Sequence, residues 1–187
     1  MRPPGPLPLV LWAAALGCWA WLWRGARTRT KLLNRLGERY AGFVTMAFSW
    51  TTLVAEAAEL RYVRMFGSVP VRFRLRFVFP LPGTGRAGTV MEFELPEPVL
   101  GSEPGLYLPG DLRAGRGLFL GGANLTREYM RFTTELPSVA RPRLGWRDAT
   151  VRLFIPGLLG AGEEVWVVRC LEFLEELAVR TCPPPRP

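Results

Sequence analysis

Charged residues are absent from Pro3 to Trp23, and the run is most apolar over the 17 residues Leu7–Trp23, LPLVLWAAALGCWAWLW. Wound as an α-helix at ~1.5 Å per residue, that stretch spans ~25 Å, slightly short of a ~30 Å hydrocarbon core but able to cross one with local thinning. Trp19, Trp21 and Trp23 occupy the place of an interfacial aromatic belt, just ahead of a group of arginines. The pattern therefore predicts a transmembrane anchor over residues 1–24. A cleaved signal segment and a buried core helix are the competing readings. Against cleavage, only Arg2 stands before the run and no small-x-small site precedes the arginines. Ala15-Leu16-Gly17-Cys18 matches a lipoprotein box only with its leucine displaced.

A second pattern follows. Leu33, Leu36, Tyr40, Phe43, Ala47, Trp50, Val54 and Ala57 recur at steps of three and four, while Arg35, Thr45, Ser49, Thr52, Glu56 and Glu59 fall mainly on the other side. This spacing predicts a long juxtamembrane helix of about 30 residues reaching Tyr62, within a basic, amphipathic segment 25–66. Its candidate interaction seam is Leu36, Tyr40, Phe43, Trp50 and Val54. The large, mixed side chains of that seam favour packing against the chain's own sheet over a regular coiled coil. Tyr40–Ala55 also lacks charge, so a second short span is an alternative, weakened by its Thr/Ser content. Gly37 and Gly42 lower helix propensity and mark a possible bend.

Beyond Gly67 the period changes to two. Val71, Phe73, Leu75, Phe77 and Phe79 alternate with Arg72, Arg74 and Arg76, and Met91, Phe93 and Leu95 alternate with Glu92 and Glu94. The two segments are expected to pair as an antiparallel hairpin with arginine opposite glutamate. Leu106–Leu108, Leu118–Leu120, Met130–Leu136 and Ala149–Ile155 are further strand candidates between Gly- and Pro-rich turns. A closing helix is expected near Glu163–Arg180, with Val167, Cys170, Leu171, Leu174 and Leu177 on its apolar face. The expected class is thus α+β: an N-terminal transmembrane helix and a long juxtamembrane helix, then a mainly antiparallel sheet domain (67–180) closed by a helix, with a proline-rich tail (181–187).

Composition and charge sharpen this picture. Of 187 residues, 49% are hydrophobic and 21% charged, which excludes both a disordered chain and a polytopic bundle. No histidine is present, so His-containing triads, His-ligated zinc and His pH switches are excluded. The net charge of +8 points to phosphate-bearing partners, with Arg24, Arg27, Arg29, Lys31, Arg35 and Arg39 set directly after the apolar run. By the positive-inside bias, the bulk of the chain is expected on the cytoplasmic side of its membrane, or the matrix side of an organelle. The three cysteines, Cys18, Cys170 and Cys182, form no CxxC and do not oppose that placement. The sequon Asn124-Leu125-Thr126 is read as a chance tripeptide.

Two groups of residues are candidates for anionic ligands or lipid headgroups. Arg24, Arg27, Arg29 and Lys31 adjoin the anchor, and Arg72, Arg74 and Arg76 form a guanidinium ladder on a strand. Arg72-x-x-x-Arg76 with Asp111-Leu-Arg-Ala-Gly115 resembles the two-part signature of the PilZ family of cyclic-dinucleotide receptors. Arg113 stands where that pattern has serine and the glycine is out of register, so no family is assigned. Gly83-x-Gly85-x-x-Gly88 matches a dinucleotide fingerprint in letters, but a strand rather than a helix follows it. Gly115–Gly122 lacks the GK[ST] ending of a phosphate loop. No catalytic, metal or cofactor residues are singled out, and nucleic-acid binding lacks a zinc, homeodomain or RNP signature. The expected function is a single-pass, membrane-anchored, non-catalytic interaction or assembly protein with membrane and protein partners, or self-association. The alternatives are a membrane-bound receptor for a lipid or nucleotide, and an enzyme working with Asp, Glu or Arg alone.

Overall fold

The computed structural model describes residues 6–50, 53–78, 88–95, 105–120, 123–137, 142–156 and 164–181. A 35-residue helix α1 (Pro6–Tyr40) leads into β1 (Phe43–Ser49), β2 (Val54–Phe66), β3 (Val69–Val78) and β4 (Gly88–Glu94). β5 (Gly105–Tyr107), α2 (Pro109–Arg113), the short β6 (Phe119–Leu120) and β7 (Ala123–Asn124), and α3 (Thr126–Glu135) follow. β8 (Arg143–Arg147), β9 (Thr150–Pro156) and α4 (Glu164–Thr181) complete the chain. Seven strands form one sheet in the order β1-β2-β3-β4-β9-β8-β5, every neighbour antiparallel. The expected α+β class is the one observed.

The sheet has one covered face and one open face. Leu60, Tyr62, Phe73, Leu75, Met91, Phe93, Val151 and Leu153 are buried on the first, beneath the second half of α1 and α4 with α3. An aromatic ladder crosses the strands there. Tyr40 stacks on Tyr62 at 4.7 Å, Tyr62 on Phe73 at 4.9 Å, and Phe73 lies 5.7 Å from Phe93. Phe132 of α3 and Phe173 of α4 stack at 4.0 Å and join the two helices. Such pairs contribute about 0.5–1.5 kcal/mol each beyond their burial.

The long helix ends at Tyr40, which corrects the expectation of a helix to Tyr62. Ala41 adopts φ 50°, the Gly42 amide donates to the Gly37 carbonyl at 2.7 Å, and the Ala41 amide donates to the Glu38 carbonyl at 3.4 Å. This is the Schellman arrangement, which satisfies the last carbonyls and turns the chain away. A Cβ on Gly42 would lie 2.7 Å from Leu60 and 2.9 Å from the Arg61 carbonyl, so only glycine lets the exit pass so close to β2. The following charge-free run is the β1–β2 hairpin and not a second span. The seam divides accordingly: Leu36 and Tyr40 are buried on α1, Phe43 and Trp50 are exposed in the hairpin, and Val54 opens β2.

Met130–Leu136 is likewise a correction. It lies largely within α3, where Tyr129, Phe132 and Leu136 bury at steps of three and four. Asn124 and Thr126 of the sequon serve this corner: the Asn124 side chain accepts from the Thr126 amide at 3.1 Å, and the Thr126 hydroxyl accepts from the Leu118 amide at 2.9 Å. The hairpin of β3 and β4 has the expected register, Arg72 opposite Glu94 and Arg74 opposite Glu92. β8 and the β4–β9 pairing were not anticipated. Gly88 opens β4 because a Cβ there would meet the Phe154 ring at 2.5 Å. Phe79, residues 83–87, Gly121, Gly122 and residues 182–187, Cys182 among them, lie outside the described residues.

The first half of α1 stands apart from this packing. Leu9, Val10, Leu11, Trp12, Leu16 and Trp21 are exposed, whereas Ala26, Leu32, Leu33, Leu36 and Tyr40 are buried. α1 is long and apolar enough to cross a membrane. The residues on either side of position 67 share one core, since Leu33, Leu36, Leu60 and Tyr62 pack with Phe73, Phe93 and Leu174.

Candidate functional site

The seven cationic candidates fall on two separate surfaces. Arg24, Arg27 and Lys31 recur at steps of three and four, and all are exposed on one stripe of α1. The Arg27 guanidinium lies 4.0 Å from the Trp23 ring centroid, so the first cations and the last tryptophan of the apolar run form a single patch. Trp19 stacks on Trp23 at 6.3 Å in the same region. Arg29 points elsewhere. It closes an ion pair with Glu56 of β2 at 3.1 Å and is a structural residue of the interface between helix and sheet.

Contacts between α1 and β2 run in step along both elements. Thr30 accepts a hydrogen bond from the Ala57 amide at 3.0 Å, Gly37 faces Leu60, and Tyr40 meets Tyr62. Toward the apolar half of α1, Trp23, Ala26, Arg27, Thr30, Lys31 and Ala55 line a groove of about 350 Å³. The β1–β2 hairpin thus extends along the helix toward its apolar half. Phe48 and Trp50 meet edge to face at 5.0 Å near the hairpin end, and both are exposed.

Arg72, Arg74 and Arg76 project from the open face of the sheet, opposite the side that α1 covers, so they do not join the α1 cations. Arg74 pairs with Glu59 at 2.6 Å and with Glu92 at 3.2 Å. Glu92, 7% exposed, is held from its other side by Arg152 at 2.8 Å. Arg61 completes the lattice through Glu59. Burial raises the Glu59 carboxyl, but the Arg61 hydrogen bond and the charges of Arg74, Arg61 and Arg76 outweigh it and hold the group below its ordinary value. Arg72 stands opposite Glu94 without closing an ion pair, and the Arg76 Nε is buried without a hydrogen-bond partner among the described residues. A hollow of about 610 Å³ opens here, lined among others by Arg61, Arg72, Arg74, Glu92 and Arg152.

Sequence reasoning missed Glu59 and Arg152, which reach the arginine ladder only through β2 and β9, and it missed Phe48 and Leu53 at the hairpin end. Arg152 had a signal, because it alternates with Val151 and Leu153. The acids of α4 are not simply a solvated face. Glu164 pairs with Arg35 at 3.2 Å, Glu172 with Arg39 at 3.8 Å and Glu175 with Arg64 at 3.3 Å, joining the acidic and basic halves of the sequence. Asp111 is occupied locally, accepting from the Leu108 amide at 2.6 Å and pairing with Arg116. Cys170 is fully buried, which pushes its thiol far above the ordinary cysteine value and leaves it unreactive. No group of metal-binding side chains occurs among the described residues.

The fold and these two surfaces define an α+β domain built onto the end of a long apolar helix. No family model, no curated protein and no solved structure matches the chain.

Proposed function

We propose that this protein is a single-pass, membrane-anchored interaction and assembly protein without catalytic activity, its α+β domain on the cytoplasmic or matrix side. The observation that carries this reading is the division of α1 into an exposed apolar half and a buried half that belongs to the domain core. A helix apolar on every side calls for a bilayer or a partner around it. Because the helix runs unbroken from one half to the other, the domain is held at a fixed height above the bilayer. Arg24, Arg27 and Lys31, on the domain side of the apolar stretch, supply both the orientation bias and contacts for anionic headgroups. The open sheet face, with its lattice of Arg74, Glu59, Glu92 and Arg152, is the surface offered to a protein partner.

The test uses the full chain in sealed native membranes. Protease added to the cytoplasmic face should digest the domain, and protection there would reject the sidedness. Replacing Ala14 and Leu16 together with arginine should release the protein from the membrane, since each central charge costs about 2.5–3.5 kcal/mol on insertion scales. Retention of that double variant would reject the span.

One observation favours a second reading of the open face as a receptor for a phosphate-bearing small molecule. Arg72 has no ion-pair partner among the described residues, and it lines a hollow large enough for a nucleotide together with Arg61, Arg74 and Arg152. A nucleotide retained through purification and lost on R72A would establish it. An unchanged, ligand-free protein would leave the interaction role.

A further inference from the structure

We propose that the end of the β1–β2 hairpin is a second membrane contact, in which Phe48, Trp50 and Leu53 sit in the interfacial layer beside α1. The proposal rests on the anchor reading and deepens it. Three pairings follow one another along α1 and β2: Ala26 and Ala55 line one groove, Thr30 accepts from the Ala57 amide, and Tyr40 stacks on Tyr62. From Ala26 to Tyr40 the helix advances about 21 Å, and from Ala55 to Tyr62 the strand advances about 23 Å. Similar lengths between positions matched in the same order mean that the two elements run side by side in the same direction. Followed back toward the anchor, β2 begins at Val54, about 3 Å beyond Ala55, and Leu53 stands in the turn just past it, its amide donating to the Ser49 carbonyl at 2.8 Å, close to the turn of α1 that carries Trp21 and Trp23. The hairpin end therefore lies at the height of the aromatic belt and next to the first cations.

Its chemistry suits that position. Trp50 is 83% exposed, Leu53 62% and Phe48 55%, and no charge occurs from Tyr40 to Ala55. Hairpin ends in water are built from Gly, Asn and Asp, which tolerate positive φ and remain solvated. Here Leu53 takes φ 57°, a conformation that disfavours leucine, and its side chain is directed outward. Tryptophan and leucine gain most at the boundary between headgroups and acyl chains, where an apolar body is buried and the indole N–H stays wet. Arg27 and Lys31, beside Ala55 in the same groove, face the phosphate layer. A helix and a hairpin end entering together fix the rotation of the domain about the anchor axis, which a single helix leaves free.

The test uses full-length protein carrying C18A and C182A, with Cys170 retained because it is buried and unreactive. A single environment-sensitive fluorophore is attached to L53C, A14C or S68C, and the protein is reconstituted in phosphatidylcholine–phosphatidylglycerol vesicles. Some vesicles carry lipid spin-labelled near the headgroup and others near the chain end. The L53C probe should be blue-shifted and lose most of its emission to the shallow quencher. The A14C probe should respond to the deep quencher, and the S68C probe, at the opposite end of β2, to neither. Quenching at A14C with none at L53C overturns the hairpin proposal and leaves the anchor standing, whereas no quenching at A14C overturns the anchor reading itself. The same pattern at W50C guards against a local effect of labelling Leu53. Disulfide bridging between A47C copies, with L53C unquenched, would place a second chain on the β1 edge and also overturn the proposal.

Discussion

Arg29 of α1 pairs with Glu56 of β2 at 3.1 Å, with both side chains only 13% exposed. The pair lies where the exposed half of α1 gives way to its buried half, and it ties the helix to the hairpin that runs alongside. Removing one partner leaves a charge with little water to receive it, which costs more than the pair contributes net. E56Q should therefore destabilise the domain by about 1–3 kcal/mol. R29M combined with E56L should cost less than the two single changes summed. Urea unfolding in detergent micelles measures this, and strict additivity would show that the two side chains act independently.

The core makes a prediction about truncation. Leu33, Leu36 and Tyr40 from α1 and Leu60 and Tyr62 from β2 are buried against Phe73 and Phe93. A fragment beginning at Gly67 loses all five together with the strand neighbour of β3, and should fail to fold. A fragment beginning at Arg24 keeps them and should give a cooperative unfolding transition once the apolar segment is gone. A folded, monomeric fragment from Gly67 would contradict the shared core.

The sequence made much of this fold legible, and its limits have physical causes. Alternation at Val71–Phe77 and Met91–Leu95 was decisive because one face meets the core and the other meets arginine and glutamate, so period and charge agree. The β4–β9 pairing brings Arg152 to Glu92 across a separation of 60 residues, and no local pattern encodes such a contact. Leu33, Leu36 and Tyr40 gave a true helical stripe, which the steps through Phe43, Ala47 and Trp50 continued by coincidence. The stop signal was Gly42, whose small size is needed by Leu60, a residue then assigned to the same helix. The α1 cations were legible as a group, but the diversion of Arg29 to Glu56 depends on the hairpin.

The two faces of β3 should respond differently to substitution. Phe73 is buried within the aromatic ladder, so F73A should cost about 3–5 kcal/mol. Phe77 is only partly buried and should cost less, although the sequence alone gives it equal weight. R74A removes a half-exposed guanidinium and should cost no more than about 1 kcal/mol. Thermal unfolding of the three variants checks the order, and an R74A loss as large as that of F73A would refute the assigned facing.

Glu59 gives a pH dependence of definite sign. Its folded-state carboxyl is held below the ordinary value, because the Arg61 hydrogen bond and the nearby guanidiniums outweigh the raising effect of burial. The folded state therefore binds the proton less readily than the unfolded state. The stability this contributes is fully present above the ordinary glutamate value of about 4.3 and is lost as the pH falls through the lower folded value. E59Q cannot titrate, so it should be less stable than the wild type near neutral pH, and the difference should shrink as the solution is acidified below about pH 4. Denaturant midpoints from neutral pH down to about pH 3 measure both curves. A gap that stays constant with pH would mean that Glu59 acts through packing and hydrogen bonding alone, without its charge.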